Sequence, residues 1–242
     1  MDLSALAGAS VVGRLSGGHR TEVVELRRDG ERLVARRTRR SATSLDWELD
    51  LMDHLSANGF TVPTTVPADD GRRQVAGVVV QRWLPGRPPG SYDWPAVAKE
   101  LRRLHEVTAG WPQRPDFLGT KELLHADVGA DVDLTAMPAD AVTACRAAWR
   151  ALSNERAVVH GDPGGDNVRV DGDRIGLLDW DEARVDHPDL DLADMAVPFL
   201  SGARNRTARA AIDAWEAACS WQLEPSYARS RLAELMRPRP PG

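Results

Sequence analysis

The feature that most restricts the fold is a change of hydrophobic period partway along the chain. Before residue 83 most apolar residues fall in short β-prone runs, whereas after residue 90 they recur every three or four positions. Between the two regions lies Trp83-Leu84-Pro85-Gly86-Arg87-Pro88-Pro89-Gly90, a dense cluster of helix- and strand-breaking residues. A chain patterned this way closes neither a single sheet nor a single bundle. It builds a strand-rich N-terminal lobe over 1–82, a linker over 83–90 and a mainly helical C-terminal lobe over 91–242, an α+β architecture.

In the first lobe, Val11–Leu15, Thr21–Arg27 and Glu31–Arg36 are separated by Ser16-Gly17-Gly18-His19 and by Asp29-Gly30. Both separators are turn signals, so the runs are expected as an antiparallel meander. Leu45, Leu49, Met52 and Leu55 predict a helix over 44–57, and Val75–Gln81 a further strand. In the second lobe, Val97, Leu101, Leu104 and Thr108 share a helical face behind an Asp93 cap, and Pro138 opens a helix running to Leu152. Segments 189–200, 204–221 and 225–236 also read as helices. A strand-rich interruption from Ala157 to Trp180 contains a hairpin that turns at Asp171-Gly172-Asp173.

Composition removes several classes of function. At 242 residues the chain exceeds a peptide or a disulfide module, and Cys145 and Cys219 both sit in apolar-periodic segments, as buried free thiols do. A mean hydropathy of −0.39 with 28% charged residues fits a soluble protein, and no apolar stretch is long enough for a membrane span. Met1–Ala7 lacks a basic region and a long apolar run, so no secretory leader is expected and the protein is placed in the cytoplasm. The formal net charge of −5 opposes binding to phosphate polymers, and Arg36-Arg37-Thr38-Arg39-Arg40 reads as a solvated strand exit rather than a nucleic-acid patch. Nothing in the sequence speaks to oligomeric state.

Chemistry concentrates in Val158-Val159-His160-Gly161-Asp162-Pro163-Gly164-Gly165-Asp166-Asn167-Val168, followed by Leu177-Leu178-Asp179-Trp180-Asp181. The hairpin returns residue 179 beside residue 167, so Asp162, Asn167 and Asp179 are expected to converge. A carboxylate beside an attacking hydroxyl and two oxygen ligands for Mg²⁺ are what phosphoryl transfer requires. The order His-x-Asp, Asn, Asp follows the catalytic-loop spacing of protein kinases. An isolated Asp or Asn in such a turn-rich stretch usually serves the turn; the spacing of the whole set points to a site. No Ser, Cys or His nucleophile stands within it, so direct transfer is expected.

These residues resemble the aminoglycoside phosphotransferase and choline-kinase-like family of small-molecule kinases. Gly161 in place of Arg, and Asp179-Trp180 in place of Asp-Phe-Gly, separate that family from protein kinases. The resemblance implies a bilobal protein-kinase-like fold, an ATP and Mg²⁺ requirement, and a small hydroxylated acceptor. It implies Asp162 as catalytic base or hydroxyl-orienting group, Asn167 and Asp179 as metal ligands, and His160 as a support of the loop. Asp189-Leu190-Asp191-Leu192-Ala193 resembles a downstream architectural segment, and His105 matches a Leu-His closing the first helix of the second lobe.

Within that frame, Gly17 and Gly18 are candidates to cover the phosphates with backbone N–H groups. Val34 and Arg36 share a strand face, with Val34 toward adenine and Arg36 toward the α/β-phosphates, and Glu48 is the expected ion-pair partner of Arg36. Trp83 falls either at a hinge contact to adenine or in lobe packing. Between residues 160 and 196 there are eleven acidic residues against three arginines. Of these, Asp166 and Asp181 are the candidates to attract a cationic acceptor such as an amino sugar or amino alcohol. Arg36, where a lysine is an equal option, also motivates an alternative: a catalytically weak, nucleotide-binding pseudokinase or regulatory module.

Overall fold

The computed structural model describes residues 1, 3, 5–15, 22–193, 195 and 199–237. Gly17 and Gly18 lie outside the described residues. The chain divides into two compact units, Met1–Pro89 with Gly165–Asp179, and Gly90–Gly164 with Trp180–Gly242. The Pro89/Gly90 boundary falls inside the 83–90 segment. Assigning 91–242 to one lobe therefore needs a correction, because residues 165–179 group with the first unit.

The first unit is built on an antiparallel sheet of β1 (Ser10–Arg14), β2 (Glu22–Arg28), β3 (Glu31–Arg37) and β4 (Val78–Arg82), in that spatial order. Its two faces are chemically distinct, as a period of two requires. Val24, Leu26, Leu33, Ala35, Val78 and Val80 form one buried face, covered by Leu6 with Met1, Leu3, Ala9 and Val66. The opposite face meets α1 (Ala42–Ala57), where Gln81 Nε2 reaches Met52 Sδ at 3.4 Å. The helix starts at Ala42 rather than 44 because Ser41 is its cap, its Oγ accepting from Ser44 N at 3.2 Å. β4 begins at Val78 rather than Val75 because a turn at Ala76-Gly77 intervenes, closed by reciprocal bonds between Val75 and Val78.

The hairpin of β8 (Val168–Asp171) and β9 (Arg174–Leu177) is stitched into this unit on both sides. Thr61 bridges Gly176, and Arg87 exchanges backbone hydrogen bonds with Val170 at 3.0 and 2.8 Å. Those ladders explain why a segment from the middle of the sequence belongs with the N-terminal strands.

In the second unit, α2 (Trp94–Val107) buries Val97, Leu101, Leu104 and His105. Asp93 stands at its N-cap position, but its carboxylate accepts from Gly90 N at 2.6 Å rather than from a helical amide. A short ribbon of β5 (Val128–Gly129) and β6 (Val132–Asp133) leads to α3 (Ala139–Arg150). Then β7 (Ala157–Val159) pairs antiparallel with β10 (Arg184–Asp186), followed by α4 (Asp189–Ala193), α5 (Gly202–Cys219) and α6 (Pro225–Met236). Helix α4 has five residues instead of running from 189 to 200; positions 194 and 196–198 lie outside the described residues. Ala208, Ala211, Ala214, Ala217 and Ala218 give α5 a small buried face that α3 approaches closely, with Trp149 Nε1 donating to Ala211 O at 3.2 Å. Cys145 and Cys219 are buried and unbridged, and burial pushes the Cys145 thiol up to about 12.

Candidate active site

Strand β7 delivers its C-terminal end into His160, Gly161 and Asp162, and one carboxylate fixes the path of these residues. Asp191, on α4 and fully enclosed, accepts from His160 N at 2.8 Å through Oδ2 and from Gly161 N at 3.0 Å through Oδ1. His105 Nε2 lies 2.9 Å from Asp191 Oδ2. Burial opposes ionisation of Asp191, but the hydrogen bond and charge of His105, the charge of His160 and the Gly161 amide outweigh it and hold the carboxyl below its usual range. The His160 ring is wholly buried and tilts against Trp180 with centroids 4.6 Å apart, while its Nδ1 faces Asp162 N at 3.4 Å. The result is a rigid loop that presents an exposed Asp162 side chain.

Gly161 shows why a side chain is excluded between the His and the Asp. Its φ is +92°, and a Cβ there would stand 2.7 Å from Glu182 O and 2.9 Å from Glu182 Cβ. Backbone conformation and space both rule out the arginine that a protein kinase carries at this position.

Beyond the hairpin, Asp179 adopts φ +55°, unusual for a residue with a side chain. Trp180, Asp181 and Ala183 are then organised by Arg114, itself 1% exposed, whose Nη1 donates to their three carbonyls at 2.9, 3.1 and 3.2 Å. Sequence reasoning missed Arg114 because nothing in Gln113-Arg114-Pro115 signals a buried guanidinium. Asp181 is only 7% exposed, unlike Asp162, Asp166 and Asp179, whose side chains are exposed. An acid expected to face an incoming cation is thus largely enclosed.

The candidates on the nucleotide side all fall in the first unit. Val34 and Arg36 lie on the face of β3 toward α1, and the expected ion pair between Arg36 and Glu48 is present, with both groups buried. The Trp83 amide donates to Arg32 O at 3.1 Å, and the Arg32 guanidinium stacks on the indole at 3.3 Å. Its N–H is therefore occupied by the sheet, and its ring packs within the lobe. Asn167, at the end of a 3-10 turn, accepts on its backbone carbonyl from Leu178 N at 2.8 Å, which ties its backbone to the residue before Asp179. An amide oxygen and a carboxylate are hard-oxygen donors of the kind Mg²⁺ takes, so Asn167 and Asp179 are the residues that could hold such an ion. Among the described residues, no three His, Cys, Asp or Glu side chains gather as a dedicated metal cage would need.

A pocket of about 100 Å³ opens beside the Asp162 loop, within the second unit. Residues 161–164, Trp94, Leu190, Asp191, Met195, Ile212 and Glu216 line it. Glu216, on α5, was not singled out from sequence; the signal available was an acid in an otherwise alanine-rich stretch, Trp215-Glu216-Ala217-Ala218. Burial pushes its carboxyl above the usual range. Arg231 opposes the rise, Asp162 adds to it, and Tyr227 and Arg184 oppose it more weakly.

Among the described residues, no helix is long and apolar enough to cross a membrane. No curated protein matches the chain. Solved structures resemble it at low identity. One is an amicoumacin kinase in complex with AMP-PNP, Ca²⁺ and Ami, 19% identical over 93% of this chain and 79% of that one, with a TM-score of 0.60. Another is the aminoglycoside phosphotransferase APH(4)-Ia, in ternary complex with ADP and hygromycin B, 16% identical over 93% and 94%, TM-score 0.63. A third is a microcompartment-associated aminopropanol kinase, 19% identical over 93% and 90%, TM-score 0.62. The fold is thus the protein-kinase-like one that the resemblance implied. The family model for the phosphotransferase enzyme family matches residues 11–235, and with a His-Gly-Asp loop pinned from beneath and an Asp-Trp pair after the hairpin, the chain belongs to that family of small-molecule kinases.

Proposed function

We propose that the protein transfers the γ-phosphoryl group of ATP to a hydroxyl of a small molecule, with a cationic amino sugar or amino alcohol as acceptor. The observation that carries this reading is the exposed Asp162 on a loop whose two preceding amides are fastened to a buried carboxylate, the rigidity that a positioned base requires. Family membership, and structural neighbours holding ADP or AMP-PNP, support a nucleotide donor.

In this reading Asp162 orients the acceptor hydroxyl and takes its proton as the oxygen attacks. A bond forms between that oxygen and the γ-phosphorus, the bond from the γ-phosphorus to the β–γ bridging oxygen breaks, and ADP leaves with the electron pair. Arg36, held by Glu48, addresses the phosphates as a fork rather than a point charge. Asn167 and Asp179 would hold Mg²⁺, whose contribution when bound is to neutralise phosphate charge. His160, Asp191 and His105 keep Asp162 in place.

The buried Arg36–Glu48 pair also motivates the second reading, a weakly active nucleotide-binding module. One assay separates the two. ADP formation from ATP is measured against a panel of hydroxylated amines, with Mg²⁺ and with a chelator. Turnover that needs both acceptor and metal supports the kinase; nucleotide binding without acceptor-dependent turnover supports the module.

A further inference from the structure

The second unit contains another cavity, of about 490 Å³, within the range of roughly 300 to 1,000 Å³ typical of small-molecule sites. It shares no lining residue with the pocket beside Asp162, and nothing in the phosphotransfer reading uses it. Its walls come from α2, the segment before β7, α4 and the start of α5. Leu192, Phe199 and Leu200 give it an apolar side, and charged groups of both signs stand among the remaining lining residues.

Most of those charges are already matched. Arg204 grips Asp189 through two nitrogens, Nη2 reaching Oδ1 at 2.7 Å, and lies 3.6 Å from Glu155. Arg156 pairs with Glu122. Two charges are left over. Arg102 donates from Nη2 to the Phe199 carbonyl at 3.2 Å and meets no carboxylate among the described residues, and Glu106 has no partner among them. They stand one turn apart on one face of α2, with Arg before Glu, the order that pairs less well along a helix. His105 lines the same cavity and is 8% exposed. Its Nε2 lies 2.9 Å from Asp191 Oδ2, and its Nδ1 has no partner among the described residues. A cavity with an apolar side and one unmatched charge of each sign is complementary to a zwitterion with an apolar body.

We propose that this cavity is a second ligand site and takes an apolar α-amino acid, with the carboxylate on Arg102, the ammonium on Glu106 and the side chain against Leu192, Phe199 and Leu200. The guanidinium fork suits a carboxylate, and Nδ1 of His105 is a further hydrogen-bonding group for the polar end. The site bears on the Asp162 loop without touching it. His105 ties the cavity wall to Asp191, which holds the amides of His160 and Gly161 ahead of Asp162. An occupant that steadies His105 steadies those amides, so the amino acid acts as an effector and not as the acceptor. The proposal is independent of what Asp162 transfers.

Calorimetry on the wild-type chain gives Kd for phenylalanine and leucine, and for two probes that each lack one charge: 3-phenylpropionate, without the ammonium, and phenylalaninamide, without the carboxylate. Phenylalanine is expected to bind roughly tenfold or more tighter than either probe, the worth of one charge-assisted hydrogen bond. Arg102→Ala should weaken phenylalanine by a similar factor and leave phenylalaninamide unchanged. Glu106→Gln should weaken it likewise and leave 3-phenylpropionate unchanged. Both side chains are exposed, so both variants should melt with wild type. Amide hydrogen exchange, read by NMR at His160 and Gly161, tests the link to the loop. With phenylalanine at about ten times its Kd, exchange through openings that release it should slow by up to about tenfold. Slowing that disappears in Arg102→Ala supports both the site and its effect. No binding of either amino acid, 3-phenylpropionate or phenylalaninamide binding as tightly as phenylalanine, or undiminished binding by Arg102→Ala overturns the site. Binding that leaves exchange at both amides unchanged overturns the role as effector.

Discussion

The loop that carries Asp162 and the hairpin that leads to Asp179 hold their candidate site residues by different physics. The hairpin is a backbone object: β8 and β9 pair in register from Val168↔Leu177 to Asp171↔Arg174, and neighbouring backbone at Thr61 and Arg87 extends the ladder. The loop has no ladder beyond Val159. Its amides are anchored by the side chain of Asp191, which lies 30 residues from Gly161 in sequence, and its kink is permitted by a missing Cβ. Many weak, redundant backbone bonds hold one region, whereas in the other both amides before Asp162 depend on one buried carboxylate. Damage should therefore be graded in the hairpin and abrupt in the loop.

The largest effect expected is on turnover. Asp162→Asn preserves shape and removes the base, so kcat should fall by about 10²- to 10⁴-fold while nucleotide affinity, measured by calorimetry, stays close to wild type. Near-normal turnover would remove Asp162 from the chemistry and leave the loop a purely structural feature.

The next effect falls on stability. Asp191→Asn offers one acceptor oxygen where the carboxylate has two, leaving buried donors among His105, His160 N and Gly161 N unpaired, at a cost of about 2 to 3 kcal/mol in urea unfolding. The pH dependence gives an independent check. A carboxyl held below its usual value in the folded state stabilises above its unfolded value and loses that contribution as pH falls through its folded value. Wild type should therefore lose stability below about pH 4 more steeply than Asp191→Asn. Equal acid sensitivity would mean that the charge does not hold the loop.

The smallest effect sharpens the comparison with a matched pair of substitutions. Gly172 turns the hairpin at φ +58° with open space around its Cα, so Gly172→Ala pays only the backbone penalty, about 1 kcal/mol. Gly161→Ala adds a clash with Glu182 O and should cost about 2 kcal/mol or more, with a larger loss of kcat than of Tm. If both variants melt together and both keep turnover, loop and hairpin are equally tolerant and the distinction fails.

The same contrast explains what could be read from the sequence. The hairpin was legible because alternation and an Asp-Gly turn are local signals. Asp162, Asn167 and Asp179 stand out as candidates because one short stretch carries all three. The partition of the chain was only half legible: the Pro/Gly cluster marks the boundary at Pro89/Gly90, but no local pattern says that Thr61 and Arg87 will capture residues 165–179. Buried polar residues were the least legible. Arg114, with three carbonyls on one nitrogen, and Glu216, on a helix distant in sequence from Asp162, owe their roles to tertiary neighbours rather than to any periodicity. The burial of Asp181 was illegible for the same reason, since acids counted along a sequence carry no information about which way they face.

That Asp191, which fastens the His160-Gly161 amides, sits on α4 while Ile212 and Glu216 of the same pocket sit on α5 has an evolutionary consequence. Substitutions along the alanine-rich helix can reshape that pocket without loosening the loop, so descendants of such a chain can vary the pocket while inheriting the loop unchanged.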